Sequence, residues 1–235
     1  VISFGQVPNY VPTDSLVGWW GFNGNANDES GNGNNGTVNG PTLATDRFGN
    51  PNSAYDFDGV NDEIIIAHTS EFNSNDLTIS VWFFLNNNTF LNTVSNDLDG
   101  QWLISKSPTN VAGGTKNRAI EITVDNGGNN SLAEPFYFQT GSSNQAMNTQ
   151  YKMRSDQVIY SSNWYHGVYV ITQNNLKQYL NGVLVVDSTI NDSFRLNNND
   201  IIYGNYWGNT PTERDLDGTL DDIGIWNRAL TQCEI

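Results

Sequence analysis

The sequence predicts an all-β fold, a jelly-roll sandwich of antiparallel strands. Helical periodicity is nearly absent, and short runs of β-branched and aromatic residues recur instead, each bounded by Gly, Asn, Asp or Pro. About a dozen such runs occur, too many for an immunoglobulin-type domain and the right number for a larger jelly roll.

In chain order the strands are expected at Leu16 to Phe22, Ala54 to Phe57, Glu63 to Ala67, Leu77 to Leu85, Trp102 to Lys106, Ala119 to Val124 and Pro135 to Gln139. Trp164 to Thr172, Leu176 to Leu180, Val183 to Val186, Ile201 to Tyr203 and Leu220 to Trp226 complete the set. In Leu77 to Leu85 the alternation places Leu77, Ile79, Val81 and Phe83 on one face and Thr78, Ser80 and Trp82 on the other. Apolar groups on both faces at its end mark that strand as central in its sheet. Asn181-Gly182 between two alternating runs supplies the positive φ angles of a type I′ turn, so the flanking strands pair as a hairpin. Asn86 to Gly100 and Gly141 to Ser162 are polar and irregular and read as long surface loops.

Composition narrows the partners. Lys and Arg total 10 against 25 Asp and Glu, a net charge of −15. Nucleic acid and anionic membrane surfaces are therefore poor partners, since phosphate backbones are held mainly by Lys and Arg. Aromatic residues make up 12% of the chain, against the disorder that 36 Asn and 22 Gly would otherwise suggest. The single cysteine, Cys233, precludes an internal disulfide, and no apolar run reaches the roughly 18 residues of a membrane span. Residues 1–13 read as a signal-peptide remnant and extended lead-in, and residues 14–235 as one domain.

Four ordered blocks carry a family resemblance. The opening block runs from Leu16-Val-Gly-Trp-Trp-Gly-Phe to Asp28-Glu-Ser-Gly-Asn-Gly-Asn-Asn-Gly36, and the second is Ala54-Tyr-Asp-Phe-Asp-Gly59-Val-Asn-Asp62. Trp164-Tyr-His-Gly-Val-Tyr-Val with Leu180-Asn-Gly182 forms the third, and Leu216-Asp-Gly218-Thr-Leu-Asp-Asp222-Ile-Gly-Ile-Trp226 the last. Together they resemble laminin-G-like, concanavalin A-like jelly-roll lectin/glucanase domains of secreted bacterial surface proteins. The resemblance implies two curved antiparallel sheets with adjacent first and last strands, a secreted or cell-surface location, frequent structural calcium, and recognition of a glycan or cell-surface polysaccharide. Other protein subunits are further partners to expect.

Calcium takes six to eight oxygen ligands, and the Asn-, Asp- and Gly-rich segment from Asn23 to Gly31 supplies that inventory. Asn25, Asp28 and Ser30 are its candidate ligands, with Asp221 and Asp222 completing the shell if the terminal strands are neighbours. Simple alternation puts Asp221 on the face of Ile223 and Ile225, where a carboxylate needs a partner. Asp58 and Asp62, flanking Gly59, form a second tier. Sugar binding calls instead for exposed rings in polar loops. Tyr206 and Trp207 with Asn205 fit that pattern, then Trp102, with Tyr151 and Arg154 weaker; Trp19, Trp82, Trp164 and Trp226 lie in strand patterns and are expected in the core. Catalysis is not expected, because the seven Glu are scattered without a paired-carboxylate cluster, and His166 stands alone on its strand. The expectation is a non-catalytic, calcium-stabilised carbohydrate-binding or adhesion module. The alternatives are a polysaccharide-cleaving glycosidase or lyase on the same scaffold, or a structural spacer or filament subunit.

Overall fold

The computed structural model describes residues 6–86, 100–106, 120–125, 136–143, 150–189, 197–205 and 215–235; at 125, 136–143 and 150–154 it describes the backbone alone. Two antiparallel sheets face each other. The first contains β1 (Leu16–Trp20), β3 (Thr42–Ala44), β4 (Ala54–Asp58), β6 (Leu77–Leu85), β11 (Trp164–Thr172), β12 (Asn175–Leu180), β13 (Val183–Thr189) and β15 (Asp217–Trp226). Its order is β13-β12-β11-β6-β15-β4-β3, and β1 pairs with the second half of β15. The other sheet holds β2 (Gly36–Asn39), β5 (Glu63–Ile66), β7 (Gly100–Lys106), β8 (Ile120–Asp125), β9 (Phe136–Ser143), β10 (Gln150–Ile159) and β14 (Ile201–Tyr203), in the order β10-β9-β8-β7-β14-β5-β2.

Side-chain alternation in β6 builds the core. Leu77, Ile79, Val81, Phe83 and Leu85 point inward against Ile64, Ile66, Ile104, Ile122 and Tyr203 of the facing sheet, all of them buried. The strand is central, with β11 on one side and β15 on the other. The Asn181-Gly182 turn joins β12 and β13 with φ of 51° and 76°, as a type I′ hairpin requires.

Three departures from the alternation matter. First, β9 runs to Ser143 and Gln150–Ile159 forms β10, within a stretch that reads in sequence as loop. Among the described residues β10 ends its sheet, pairing with β9, so its polar composition is compatible with pairing. Of the other expected loop, residues 87–99 lie outside the described residues. Second, within the expected lead-in Val7 and Val11 pack with Trp19, Trp226 and Leu230 on the outer face of the first sheet. The Trp226 indole donates to the Pro12 carbonyl at 2.6 Å. Third, β15 carries a bulge. Asp221 pairs with Trp82 and Gly224 with Ser80, so Asp222 and Ile223 stand opposite Val81 alone, two residues against one, and Asp222 takes a left-handed φ of 42°. Leu220, Ile223 and Ile225 all reach the core, while Asp221 turns to the opposite face from Ile223. The extra residue corrects the face that unbroken alternation assigns to Asp221.

At the end of β7, Lys106 is buried, and its ammonium donates to the carbonyls of Asn199 at 2.7 Å and Asn197 at 2.8 Å. Burial pulls this lysine down to about 8. Gly204 is equally constrained. Its φ is +83°, and a Cβ there would sit 2.2 Å from the ring of the fully buried Phe57. Gly204→Ala should cost about 2 kcal/mol or more through backbone strain plus overpacking, read from the urea midpoint. Gly182→Ala, with φ +76° but open space around it, should lose only about 1 kcal/mol.

Candidate functional site

The outer face of the first sheet carries a row of side chains across three neighbouring strands. Trp82 of β6 pairs with His166 of β11 and with Asp221 of β15. The Trp82 and His166 rings stack with centroids 4.9 Å apart and planes 14° from parallel. On the other side Arg47, from the loop before β4, lies 4.4 Å from the Trp82 ring centre and 4.3 Å from that of Phe48. Its two terminal nitrogens each donate at 2.6 Å, one to Asp221 and one to Asp222. The bulge is what presents these consecutive carboxylates to one guanidinium. Burial, reinforced by the Asp222 charge, raises the Asp221 carboxyl to about 8, while Arg47 opposes the rise.

Arg47, Phe48, Trp82, His166 and Asp222 line a groove of about 640 Å³ together with Tyr10, Ser80, Trp164 and Trp226. Phe48 and Tyr10 stand at its rim, 73% and 66% exposed. Ser80 Oγ lies 2.7 Å from His166 Nε2, and the His166 backbone N–H donates to Asn181 Oδ1 at 2.9 Å. Burial, then the nearby Arg47 charge, lowers His166 to about 4, so its ring is neutral at neutral pH. The groove combines broad apolar faces with a few fixed polar groups, the composition of a small-molecule or oligomer-binding cleft.

The site uses residues that strand patterns had assigned to the core. Trp19 and Trp226 are buried, in a separate cluster on the outer face, whereas Trp82 and Trp164 are half-buried and line the groove. The signal was present in the alternation, which already set Trp82 on the opposite face from Leu77, Ile79 and Val81. Tyr10, Arg47 and Phe48 come from irregular segments and left no periodic trace.

The expected sugar contacts fare differently. Trp102 is 2% exposed within β7, and Asn205 is buried with its carbonyl accepting from Ser105 Oγ at 2.9 Å. Neither offers an open face to a ligand, since every residue of β7 is buried, as is Asn205 after β14. Tyr206, Trp207 and the side chains of Tyr151 and Arg154 lie outside the described residues.

The candidate calcium ligands have other partners. Asp28 accepts three backbone N–H groups, from Trp19 at 3.0 Å and Ser30 at 2.9 Å on Oδ1 and from Asn34 at 3.0 Å on Oδ2. Asn25 Oδ1 accepts the Asn27 N–H, and Ser30 Oγ donates to the Val17 carbonyl. Asp221 and Asp222 are engaged by Arg47. Asp58 closes an Asx turn onto Val60, and Asp62 accepts the Asp58 N–H. These carboxylates face N–H and guanidinium donors, and among the described residues no three His, Cys, Asp or Glu gather as a metal site.

The fold has relatives. A laminin-G-type family model of the concanavalin A-like lectin/glucanases superfamily matches residues 58–235. The chain belongs to this superfamily. No curated protein matches its sequence. Among solved structures, this lectin/glucanase-type chain is similar to domain 4 of AbnA, a GH43 extracellular arabinanase from Geobacillus stearothermophilus solved with arabinotriose. That match has a TM-score of 0.66 and 20% identity over 94% of this chain and 96% of the other. It is also similar to the binding domain of Paraclostridial Mosquitocidal Protein 1, with TM-score 0.70, 22% identity and 94% of this chain covered. The botulinum neurotoxin serotype D binding domain matches at TM-score 0.64 and 16% identity, again over 94% of this chain. The chain spans about half of each of these two toxin domains, 51% and 50%.

An imidazole held neutral when folded, yet free to protonate near 6.5 when unfolded, adds stability that is fully present above about pH 6.5 and is lost as pH falls toward 4. The unfolding free energy of the wild type relative to His166→Gln should therefore decline by on the order of 2 kcal/mol from pH 7 to pH 4. Parallel urea titrations of both proteins measure it; a constant difference would rule it out.

Proposed function

We propose that the domain is a non-catalytic carbohydrate-binding module of an extracellular protein, and that the groove on the outer face of its first sheet is the ligand site. The observation that carries this is the pairing of exposed and half-exposed rings, Phe48, Tyr10, Trp82 and Trp164, with fixed hydrogen-bonding groups in one cleft. Ring faces and edges take the apolar faces of pyranose or furanose units, and Ser80, His166 and the Tyr10 hydroxyl take sugar hydroxyls. The arabinotriose complex of a structurally similar domain supports the reading. Among the described residues no helix is long and apolar enough to cross a membrane.

The polar groups of the groove also argue for binding over cleavage. Its two lining carboxylates are held by arginines, Asp222 by Arg47 and Glu234 by Arg228, each at 2.6 Å. The hydrogen bond from Arg228 holds Glu234 down at about 2, opposite to what a general acid requires. Asp221, whose carboxyl is raised, has only 3% of its side chain exposed. His166 contacts a serine, yet an imidazole near 4 is a weak base at neutral pH.

Titration of immobilised plant and bacterial polysaccharides should show binding that Phe48→Ala and Trp164→Ala each weaken about tenfold, with unchanged melting temperature, as expected for a lost stacking contact of 1 to 2 kcal/mol. The same mixtures should release no reducing ends and develop no absorbance from unsaturated uronates. Appearance of either product would establish an enzyme; binding indifferent to both variants would place the site elsewhere.

A further inference from the structure

We propose that the groove selects uncharged glycan chains and rejects acidic ones, whether uronate-bearing or sulfated. This rests on the glycan-binding reading of the groove and adds a ligand class to it.

The argument is one of charge. Among the described residues that line the cleft, Arg47 is the one permanently cationic group. Its two terminal nitrogens are each committed at 2.6 Å to a carboxylate, its guanidinium carbon lies 4.3 and 4.4 Å from the Phe48 and Trp82 ring centres, and only 9% of its side chain is exposed. A ligand carboxylate or sulfate could reach it only by displacing Asp221 or Asp222, leaving a buried aspartate without its partner. Arg228, beside the far end of the groove, is held by Glu234 at 2.6 Å. The remaining polar lining consists of dipoles, Ser80 Oγ, the neutral His166 ring and the Tyr10 hydroxyl, and of the Asp222 and Glu234 carboxylates. Dipoles and carboxylates accept hydrogen bonds from sugar hydroxyls but repel anions. The chain as a whole adds to the barrier, since its net charge of −15 disfavours the approach of any polyanion.

The test uses matched probes. Arabinan, arabinoxylan, laminarin and cello-oligosaccharides are screened for binding to the full chain, and any that bind are compared as carboxymethyl and hydroxyethyl derivatives, equal in bulk and different in charge. We expect the carboxymethyl form to bind at least about tenfold more weakly than the hydroxyethyl form. Raising the salt concentration should narrow that gap by strengthening the carboxymethyl interaction alone. Asp222→Asn, which removes one charge and retains a hydrogen-bond acceptor toward Arg47, should narrow it further. Equal or tighter binding of the carboxymethyl form, or a gap insensitive to salt, overturns the selectivity and leaves the glycan-binding reading standing. If none of the neutral probes binds while polygalacturonate or a sulfated glycan does, and Trp164→Ala abolishes that binding, the selectivity alone is wrong. If nothing binds, both readings fall.

Discussion

One extra residue in β15 organises the rest of the outer face. Without the bulge at Asp222, alternation would send Asp221 toward Ile223 and Ile225 in the core, where an ionised carboxylate faces a desolvation cost of several kcal/mol. With it, two consecutive aspartates emerge on the same side of the sheet, close enough to demand a counter-ion. Arg47 answers both. That requirement draws the loop before β4 across the sheet, lays the guanidinium on Trp82, and leaves Phe48 standing at the rim. The cleft is thus the by-product of a charge-neutralisation problem, and its polarity is inherited from that solution.

The same economy appears at two other places. The loop after β1 is cinched by the Asp28 carboxylate, which collects three backbone N–H groups, while Asn32 Nδ2 reaches back to the Leu16 and Val17 carbonyls. At the end of the second sheet the Lys106 ammonium ties the carbonyls of Asn197 and Asn199 to β7. Each is an ion of the protein's own making, an anion surrounded by amide donors or a cation surrounded by carbonyls. In a chain with one cysteine such clasps hold irregular segments where a disulfide or bound metal is the more familiar device.

The inward half of the sandwich was readable from the chain. The alternation of Leu77 to Leu85 and the Asn181-Gly182 turn are local, so the central strand and the hairpin followed from a few residues each. The resemblance of the first and last blocks anticipated the pairing of β1 with β15. What escaped was non-local. A bulge shows itself only against the register of its partner, and Asp221 and Asp222 look the same in sequence whether or not one is extra. Edge strands such as β10 are recruited by backbone pairing and show little of the apolar pattern. The groove escaped for a related reason: Tyr10, Arg47 and Phe48 reach it from segments without period, and tryptophan in a strand invites the assumption that it is buried, which holds for Trp226 and fails for Trp164.

The docking of Pro12 and Val11 against Trp226 and Leu230 ties the cleft to segments far apart in the chain. One wall comes from residues 10–12, whereas Asp222, Trp226 and Ile235 are more than 200 residues later in the chain. The groove is therefore incomplete until residues from both ends of this stretch have come together. It closes only when contacts far apart in the chain have formed, a step that high contact order makes slow.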